Sequence, residues 1–191
     1  MEQNNEMSAQ QSLQIITETF NKSRKGILRN SAKYFLLWGA LLTAISLVIY
    51  LLWNFTGKPQ WNFLWFAMPA IGYPIAMLMG KYDVAVPQNE VSKMLTGVWR
   101  VFGVFAITLS VVAICLVPMN VSLIIVILLG LAECMSGVLL KNWPIIVCGF
   151  LLGVCGALVA MLVQSEAQLL IFTLGGVMLL VTGFIMQLQN K

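Results

Sequence analysis

The sequence predicts an all-α, polytopic membrane protein: an up-down bundle of six transmembrane helices, preceded by an amphipathic helix in the cytoplasm. Two observations lead to this fold class. Of the 191 residues, 60% are hydrophobic and only 9% are charged, whereas a soluble domain carries about a quarter charged residues. In addition, six apolar runs have roughly the 20 residues that a helix needs to cross the hydrocarbon core of a bilayer.

The six apolar runs form one transmembrane domain at residues 34–187, between an N-terminal segment at 1–33 and a tail at 188–191. The predicted spans are Tyr34–Trp53, Asn62–Gly80, Val98–Val117, Val121–Leu140, Trp143–Val163 and Leu169–Met186. The links after the third and fourth spans are only a few residues long. Short links force neighbouring helices to pack antiparallel, which predicts the up-down arrangement.

Basic residues mark one side of the predicted bundle. Ten of the eleven Lys and Arg residues lie before span one, around the link between spans two and three, between spans four and five, or after span six. Lys58 is the exception. By the positive-inside rule the basic side is cytoplasmic, so both chain ends are predicted there. The same placement argues against nucleic-acid binding, which needs a solvent-facing basic domain.

The residue types that most catalytic and metal sites require are scarce. The chain has no histidine, which excludes imidazole ligands and His-dependent triads. Its four cysteines all fall in apolar spans, where thiols are typical packing residues. No phosphate-binding glycine loop or group of carboxylates occurs. We therefore predict no catalytic residues, no metal site and no cofactor.

The N-terminal segment at 8–33 predicts a cytoplasmic amphipathic helix. Ser8 and Gln11 fit a capping box at its start. One apolar stripe recurs at helical spacing and consists of Leu13, Ile16, Phe20 and Ile27. The stripe either packs on the bundle or lies at the lipid surface, or it docks a cytoplasmic protein or a second copy of the chain.

Glu133 is the acidic residue that lies well inside a span, about 12 Å from the cytoplasmic edge at 1.5 Å per residue. Gly130 and Gly137 share its helical face and permit another helix to approach closely. A charged carboxylate at this depth needs a partner, and Arg100 in span three is the candidate cation. Two interpretations stay open: a proton or cation site, and a protonated or Arg-paired clamp between helices.

Spans two and five contain residues that interrupt or loosen helices. Pro69 and Pro74 remove backbone donors from span two, and span five contains Gly149, Gly153 and Gly156. Interrupted helices at corresponding places in two halves of a chain are typical of transporter sites. Glycines at this spacing also mark ordinary helix packing.

Two motifs carry a resemblance. The first is Ser-Leu-Gln-Ile-Ile-Thr-Glu at 12–18, followed by Tyr-Phe-Leu-Leu-Trp-Gly at 34–39; the second is Ser-Gly-Val-Leu-Leu-Lys-Asn-Trp-Pro at 136–144. Together they resemble a family of uncharacterised bacterial six-span membrane proteins, over most of the chain. The resemblance implies the six-span architecture and a bacterial inner membrane, and it transfers no site residues.

These observations favour a non-enzymatic regulatory or interaction protein of the bacterial cytoplasmic membrane. Its expected contacts are the lipid bilayer and either a cytoplasmic protein or a second copy of the chain, bound through residues 8–33. The alternative function is a small oligomeric transporter that uses Glu133 and the proline-broken span two.

Overall fold

A computed structural model describes residues 9–83, 90–116, 119–163 and 166–189. Its α-helices are α1 (Ala9–Thr56), α2 (Ala67–Gly80), α3 (Glu90–Cys115), α4 (Val121–Leu139), α5 (Trp143–Phe150), α6 (Gly156–Leu162) and α7 (Gln168–Leu188). A 3-10 helix at Pro59–Phe66 leads into α2, and a π-helical segment at Leu151–Cys155 joins α5 to α6. The described part of the chain is predominantly helical and contains no strand, which confirms the predicted all-α class.

Within the described ranges, six helical stretches are long and apolar enough to cross a membrane. These spans one to six are Lys25–Thr56, Pro59–Gly80, Val91–Cys115, Val121–Leu139, Trp143–Leu162 and Gln168–Leu188. The predicted multi-pass architecture is therefore confirmed. Spans one and three begin earlier than the apolar runs that predicted them, because each helix continues past its apolar run into the neighbouring basic segment.

The predicted N-terminal helix and span one form a single continuous helix, α1. Its 48 residues correspond to about 72 Å of helix at 1.5 Å per residue. The hydrocarbon core is only about 30 Å thick, so a large part of α1 lies outside it. No proline occurs between residues 9 and 56, and the helix can therefore run without a break.

α1 and α7 pack closely along each other in antiparallel directions. A side chain on Gly39 would place its Cβ 2.8 Å from the carbonyl oxygen of Gly176, so this crossing accepts only glycine. Further along the same contact, the hydroxyls of Ser46 and Thr173 are hydrogen-bonded at 2.9 Å. Small residues and interhelical hydrogen bonds are what hold helices together where lipid removes the hydrophobic driving force.

α4 packs in the same close manner against the fifth span. Gly130 lies directly against Gly153, where no side chain fits, and Gly137 lies against Ile146. Because residue numbers rise along one helix and fall along the other at these contacts, the pair is antiparallel. The tight link at Lys141 and Asn142 therefore reverses the chain direction, as the short connection predicts.

Spans two and three lie at the periphery of this bundle. Aromatic rings join them to α1: Phe35 and Trp99 meet edge to face at 5.4 Å between ring centroids, and Trp38 meets Tyr73 at 5.5 Å. Edge-to-face geometry is a favoured arrangement of aromatic pairs. The outward faces of these two spans are apolar and exposed, which suits contact with lipid.

The contacts place most basic residues at one end of the bundle, which we call the basic end. The Lys33 ammonium lies 3.7 Å from Asp83 Oδ1, joining α1 to the end of α2. Asn142 Nδ2 donates to Gln189 Oε1 at 2.5 Å, joining the α4–α5 link to the end of α7. The described basic residues at this end are Lys25, Arg29, Lys33, Lys81, Lys93 and Lys141.

Candidate functional site

Glu133 lies in the buried contact between α4 and α7. Its side chain is 0% exposed, and Thr182 Oγ1 donates a hydrogen bond to Glu133 Oε1 at 2.6 Å. The second oxygen, Oε2, is buried and has no hydrogen-bond partner in the described part of the chain. Glu133 precedes the end of α4 by six residues, or about 9 Å, so the carboxyl lies within the span.

The pattern of α4 explains why this carboxyl faces inward. Its buried residues recur at helical spacing and include Val126, Leu129, Gly130, Ala132, Glu133, Ser136 and Gly137. The opposite face carries large apolar side chains such as Ile127, Leu131 and Met135, which are exposed. Large apolar groups suit lipid, and small ones suit helix contact. Glu133 therefore faces the protein interior together with the small residues of α4.

The groups around Glu133 are neutral. The thiol of Cys148 on α5 lies near both Thr182 and the carboxyl, and the Cys134 thiol donates to the carbonyl of Ile146 at 3.3 Å. Ser136 donates to the carbonyl of Ala132 within its own helix. Within the described part of the chain, an ionised carboxylate at this position would therefore have one hydroxyl donor and no compensating cation, which is unfavourable in a low-dielectric interior.

Arg100 does not meet Glu133. It lies ten residues into α3 with its side chain exposed, whereas Glu133 is enclosed by α4, α5 and α7. Within the described residues, the salt bridge near the membrane edge joins Lys33 and Asp83. The predicted ion pair between Arg100 and Glu133 is therefore not formed. The Glu133 carboxyl is held by the hydrogen bond from Thr182 instead.

The predicted packing glycines lie where helices touch. Besides the contact between Gly130 and Gly153, a Cβ on Gly149 would lie 2.5 Å from the Cys134 amide nitrogen. A Cβ on Gly156 would lie 2.8 Å from Val126 Cγ1. The π-helical segment at 151–155 occurs within this glycine contact. π-helical segments are rare in proteins, and those that occur are often found at functional sites.

Pro69 and Pro74 do not end a helix. α2 runs from Ala67 to Gly80 through both of them, and the change from 3-10 to α geometry precedes them. Pro69 is the third residue of α2, where a missing amide hydrogen is easily tolerated. Pro74 removes one helical hydrogen bond on an exposed part of the helix. The irregular portion of span two is its 3-10 half.

The predicted docking stripe is only partly described. Ile27 is 5% exposed and belongs to the core, so it is not available to a partner. The reason is that α1 continues straight into the bundle, where its apolar face packs against the core. The side chains of Leu13, Ile16 and Phe20 lie outside the described residues, although the α1 backbone is helical there.

Sequence reasoning missed the partner of Glu133 and the polar contacts of the basic end. Thr182 is a single hydroxyl in an apolar span, and only its burial marks it as more than a packing residue. At the basic end, Tyr34 donates from its hydroxyl to Asp83 Oδ2 at 2.7 Å. The sequence contains a signal for this contact: Asp83 follows span two and Tyr34 begins the predicted span one, so both residues are expected at the same side of the membrane.

Comparison of the chain with protein-family models, with curated proteins and with solved structures yields no match. In the described residues, no three His, Cys, Asp or Glu side chains group together as a metal site requires. The resemblance to a bacterial six-span family stays a prediction.

Proposed function

We propose that this chain is a multi-pass protein of the bacterial cytoplasmic membrane, with both ends in the cytoplasm, which acts by binding another protein there and catalyses no reaction. The observation that carries this proposal is the continuity of α1. The sequence supports the non-enzymatic part, because it has no histidine and no nucleophile–base set. The distribution of basic residues supports the orientation.

The N-terminal part of α1 projects beyond the bundle. Among the side chains of α1 that the structure describes, Ile27 and Leu28 are the first that are buried, and those before them, at 14, 15, 17, 18 and 25, are all exposed. From Ala9 to Lys25 the helix covers about 24 Å at 1.5 Å per residue. A rigid helix of this length presents a defined surface well outside the hydrocarbon layer.

The apolar face of α1 continues past the point where the bundle ends. Gly183 of α7 lies against Ala32, and α7 ends five residues later at Leu188, about level with Ile27. At 100° per residue, positions 13, 16 and 20 fall within about 40° of Ile27 around the helix axis. This phase follows from residue spacing. The face that packs inside the bundle is therefore repeated where the described chain offers no helix to cover it.

An apolar stripe on a projecting helix suits recognition by another helix or by an apolar groove. Burial of three large side chains is worth roughly 1.5–3 kcal/mol each, enough for specific binding when the helix is already formed. Pre-formed structure lowers the ordering penalty on association. The chemistry of the expected partner is thus a helix or groove with an apolar face and acidic neighbours that match the basic end.

The proposal is tested by affinity purification from native membranes, with variants that change one face of α1 at a time. The double substitution Ile16→Glu and Phe20→Glu places charge on the stripe. Ile15→Glu is the matched control, because Ile15 is exposed and lies about 120° from Ile27 around the helix. We expect a stoichiometric partner to be lost with the stripe variant and kept with the control.

Either of two results would count against this function: no stoichiometric partner for the unchanged protein, or equal loss with both variants. A deletion gives a second measure and should end at residue 24. A longer deletion would remove Ile27 and Leu28, which are buried in the bundle, and would confuse lost binding with lost folding.

The surroundings of Glu133 favour a second candidate, a small oligomeric transporter. A buried acid with one unpartnered oxygen and a π-helical segment nearby are features of ion-linked sites. Measurement of proton-linked flux in proteoliposomes tests it. Glu133→Gln should abolish flux with the fold intact, because the amide oxygen still accepts from Thr182. Flux that is unchanged by this substitution would exclude Glu133 as the coupling residue.

A further inference from the structure

Four buried polar side chains gather in the α4–α5–α7 contact near the basic end. Glu133, Ser136 and Thr182 are 0% exposed, and Asn142 is 5% exposed. Ser136 follows Glu133 by about one helical turn, and Asn142 lies just beyond the end of α4. On α7, Gln189 follows Thr182 by about two turns and accepts the hydrogen bond from Asn142. Polar side chains thus occur between Glu133 and the basic end, interleaved with the buried apolar side chains of Leu140, Ile145 and Met186.

On the other side of Glu133, the same contact is apolar. Val126, Leu129, Leu152, Phe172 and Leu179 lie toward the opposite end, and each is at most 5% exposed. Ions and protons pass a closely packed apolar layer poorly, because the layer offers no group to solvate a charge. Glu133 is therefore about 9 Å from the end of α4 at the basic end and about 18 Å from its start at the opposite end, and the shorter way carries the polar side chains of Ser136 and Asn142.

Two acceptors in this region lack donors within the described residues: Glu133 Oε2 and Asn142 Oδ1. Buried acceptors are normally satisfied, and a carboxyl oxygen can supply its own hydrogen by carrying a proton. The titratable groups near the carboxyl are Cys148 from α5 and Cys134 from α4. α7 presents Thr182 and no titratable group, and Arg100 of α3 is exposed. Among the described residues, no cation lies against the carboxyl to stabilise the ionised form.

We infer that Glu133 is a proton-binding site inside the membrane that exchanges its proton with the solution at the basic end and not at the opposite end. On release, the O–H bond at Oε2 breaks, the proton passes to water near Asn142 and Gln189, and a carboxylate remains. On uptake, the same bond forms again. Thr182 keeps its hydrogen bond to Oε1 in both states. This inference does not depend on the proposed binding partner of α1.

Proton occupancy is tested with dicyclohexylcarbodiimide on the full-length protein in liposomes. This apolar reagent adds to a protonated carboxyl in the membrane, with transfer of the carboxyl proton to the reagent nitrogen, and leaves a stable N-acylurea. We expect one adduct, on the peptide that contains Glu133. It should be absent in Glu133→Gln and retained in Asp83→Asn, a control acid at the membrane edge. An unlabelled wild-type protein, or equal labelling of wild type and Glu133→Gln, would overturn the inference.

The side of access is tested by the rate at which the Glu133 carboxyl exchanges hydrogen for deuterium, followed by its infrared C=O band. Asn142→Leu should slow the exchange by about tenfold, because it removes a polar step and so raises the barrier to moving a proton. Gln168→Leu is the matched control, since Gln168 is a buried amide at the opposite end that donates to the carbonyl of Ala160 at 2.7 Å.

A second variant keeps the test decisive if Asn142→Leu does not fold. Gln189 is exposed and pairs with Asn142, so Gln189→Leu alters the same entrance with little risk to the core. Slower exchange in either entrance variant, with an unchanged rate in Gln168→Leu, supports access from the basic end. Unchanged exchange in both entrance variants, or slower exchange in Gln168→Leu, contradicts it.

Discussion

The two halves of this protein are held together differently. In the inner half, formed by α1, α4 to α6 and α7, backbones touch at glycine, and buried hydroxyls bond between helices, as at Thr182 and Glu133. In the outer half, formed by the 3-10 helix, α2 and α3, aromatic edges such as Trp99 against Phe35 join the helices, and Gly72 packs against the Trp38 ring. Few residues of the outer half are buried.

The difference shows what a bundle uses when the hydrophobic effect does not drive helix association. Lipid tails solvate apolar side chains as well as another helix does, so close packing and hydrogen bonds must supply the stability. The inner half meets this condition and provides a rigid frame for Glu133. The outer half has less close packing and fewer hydrogen bonds between helices, and local rearrangement needs less free energy there. Four substitutions test this contrast, beginning with the largest expected effect.

Gly130→Ala should cause the largest loss of stability. Its Cβ would fall on the backbone of Gly153, and neither helix can yield without separating from the other. We expect a loss of about 2–3 kcal/mol in the free energy of unfolding, in the range of overpacked cores. The measurement is reversible unfolding in mixed micelles.

Gly97→Ala, in the outer half, is the matched control for this effect. Nothing lies within 4 Å of a Cβ at Gly97, and alanine is the better helix former by roughly 0.5–1 kcal/mol. We expect stability to stay the same or to rise. If both substitutions destabilise the protein equally, the two halves are packed alike and the contrast between them is wrong.

Thr182→Val should have the next largest effect. The substitution preserves side-chain volume but removes the hydroxyl that donates to Glu133 at 2.6 Å. Interhelical hydrogen bonds in membrane proteins contribute up to about 1.7 kcal/mol, and we expect a loss near this upper value because the carboxyl is enclosed. Thr96→Val in α3 is the control: its hydroxyl donates to the Ser92 carbonyl of its own helix, so the loss there should stay below about 0.5 kcal/mol. Equal losses would show that the bond to Glu133 has no special weight.

The sequence alone could not predict most of the contacts that distinguish the two halves, for a geometrical reason. Apolar run length fixes where a helix lies along the membrane normal, so the six spans and the depth of Glu133 were predictable. Rotation of each helix about its own axis is set by tertiary contacts. Arg100 and Glu133 belong to similar depths, yet Arg100 points away, and the partner of Glu133 is Thr182, 49 positions along the chain. Glycine spacing predicted close contact, but not the π-helical segment that accompanies it.

Trp99→Leu should loosen the outer half while the inner half stays intact. Trp99 makes edge-to-face contacts with Phe35 and Phe102, at 5.4 and 5.7 Å, and such pairs contribute about 0.5–1.5 kcal/mol beyond their buried area. We expect a global loss near 1 kcal/mol and faster amide exchange confined to α3. Trp143→Leu is the control, because Trp143 is largely exposed and belongs to no ring pair among the described residues. Faster exchange spread evenly over α3, α4 and α7 would mean that the halves unfold together.

Tyr34→Phe should have the smallest effect and should act where the two halves meet. The Tyr34 hydroxyl donates to Asp83 at 2.7 Å, and Lys33 lies 3.7 Å from the same carboxylate, so α1 holds the end of α2 through one acid. Without the hydroxyl, we expect a loss of about 0.5 kcal/mol, because Asp83 keeps Lys33 and remains partly solvated. The remaining polar attachment is then Lys33, which pairs with Asp83 in a half-buried ion pair and donates to the Tyr82 carbonyl at 3.2 Å; salt screens the ion pair. Amide exchange at the end of α2 should therefore rise with ionic strength in Tyr34→Phe more steeply than in the wild type.

Tyr82→Phe, a change at a largely exposed neighbour, is the control and should leave the salt dependence of amide exchange as it is in the wild type. If Tyr82→Phe changes that dependence as Tyr34→Phe does, the hydroxyl of Tyr34 is not what couples α2 to the inner half.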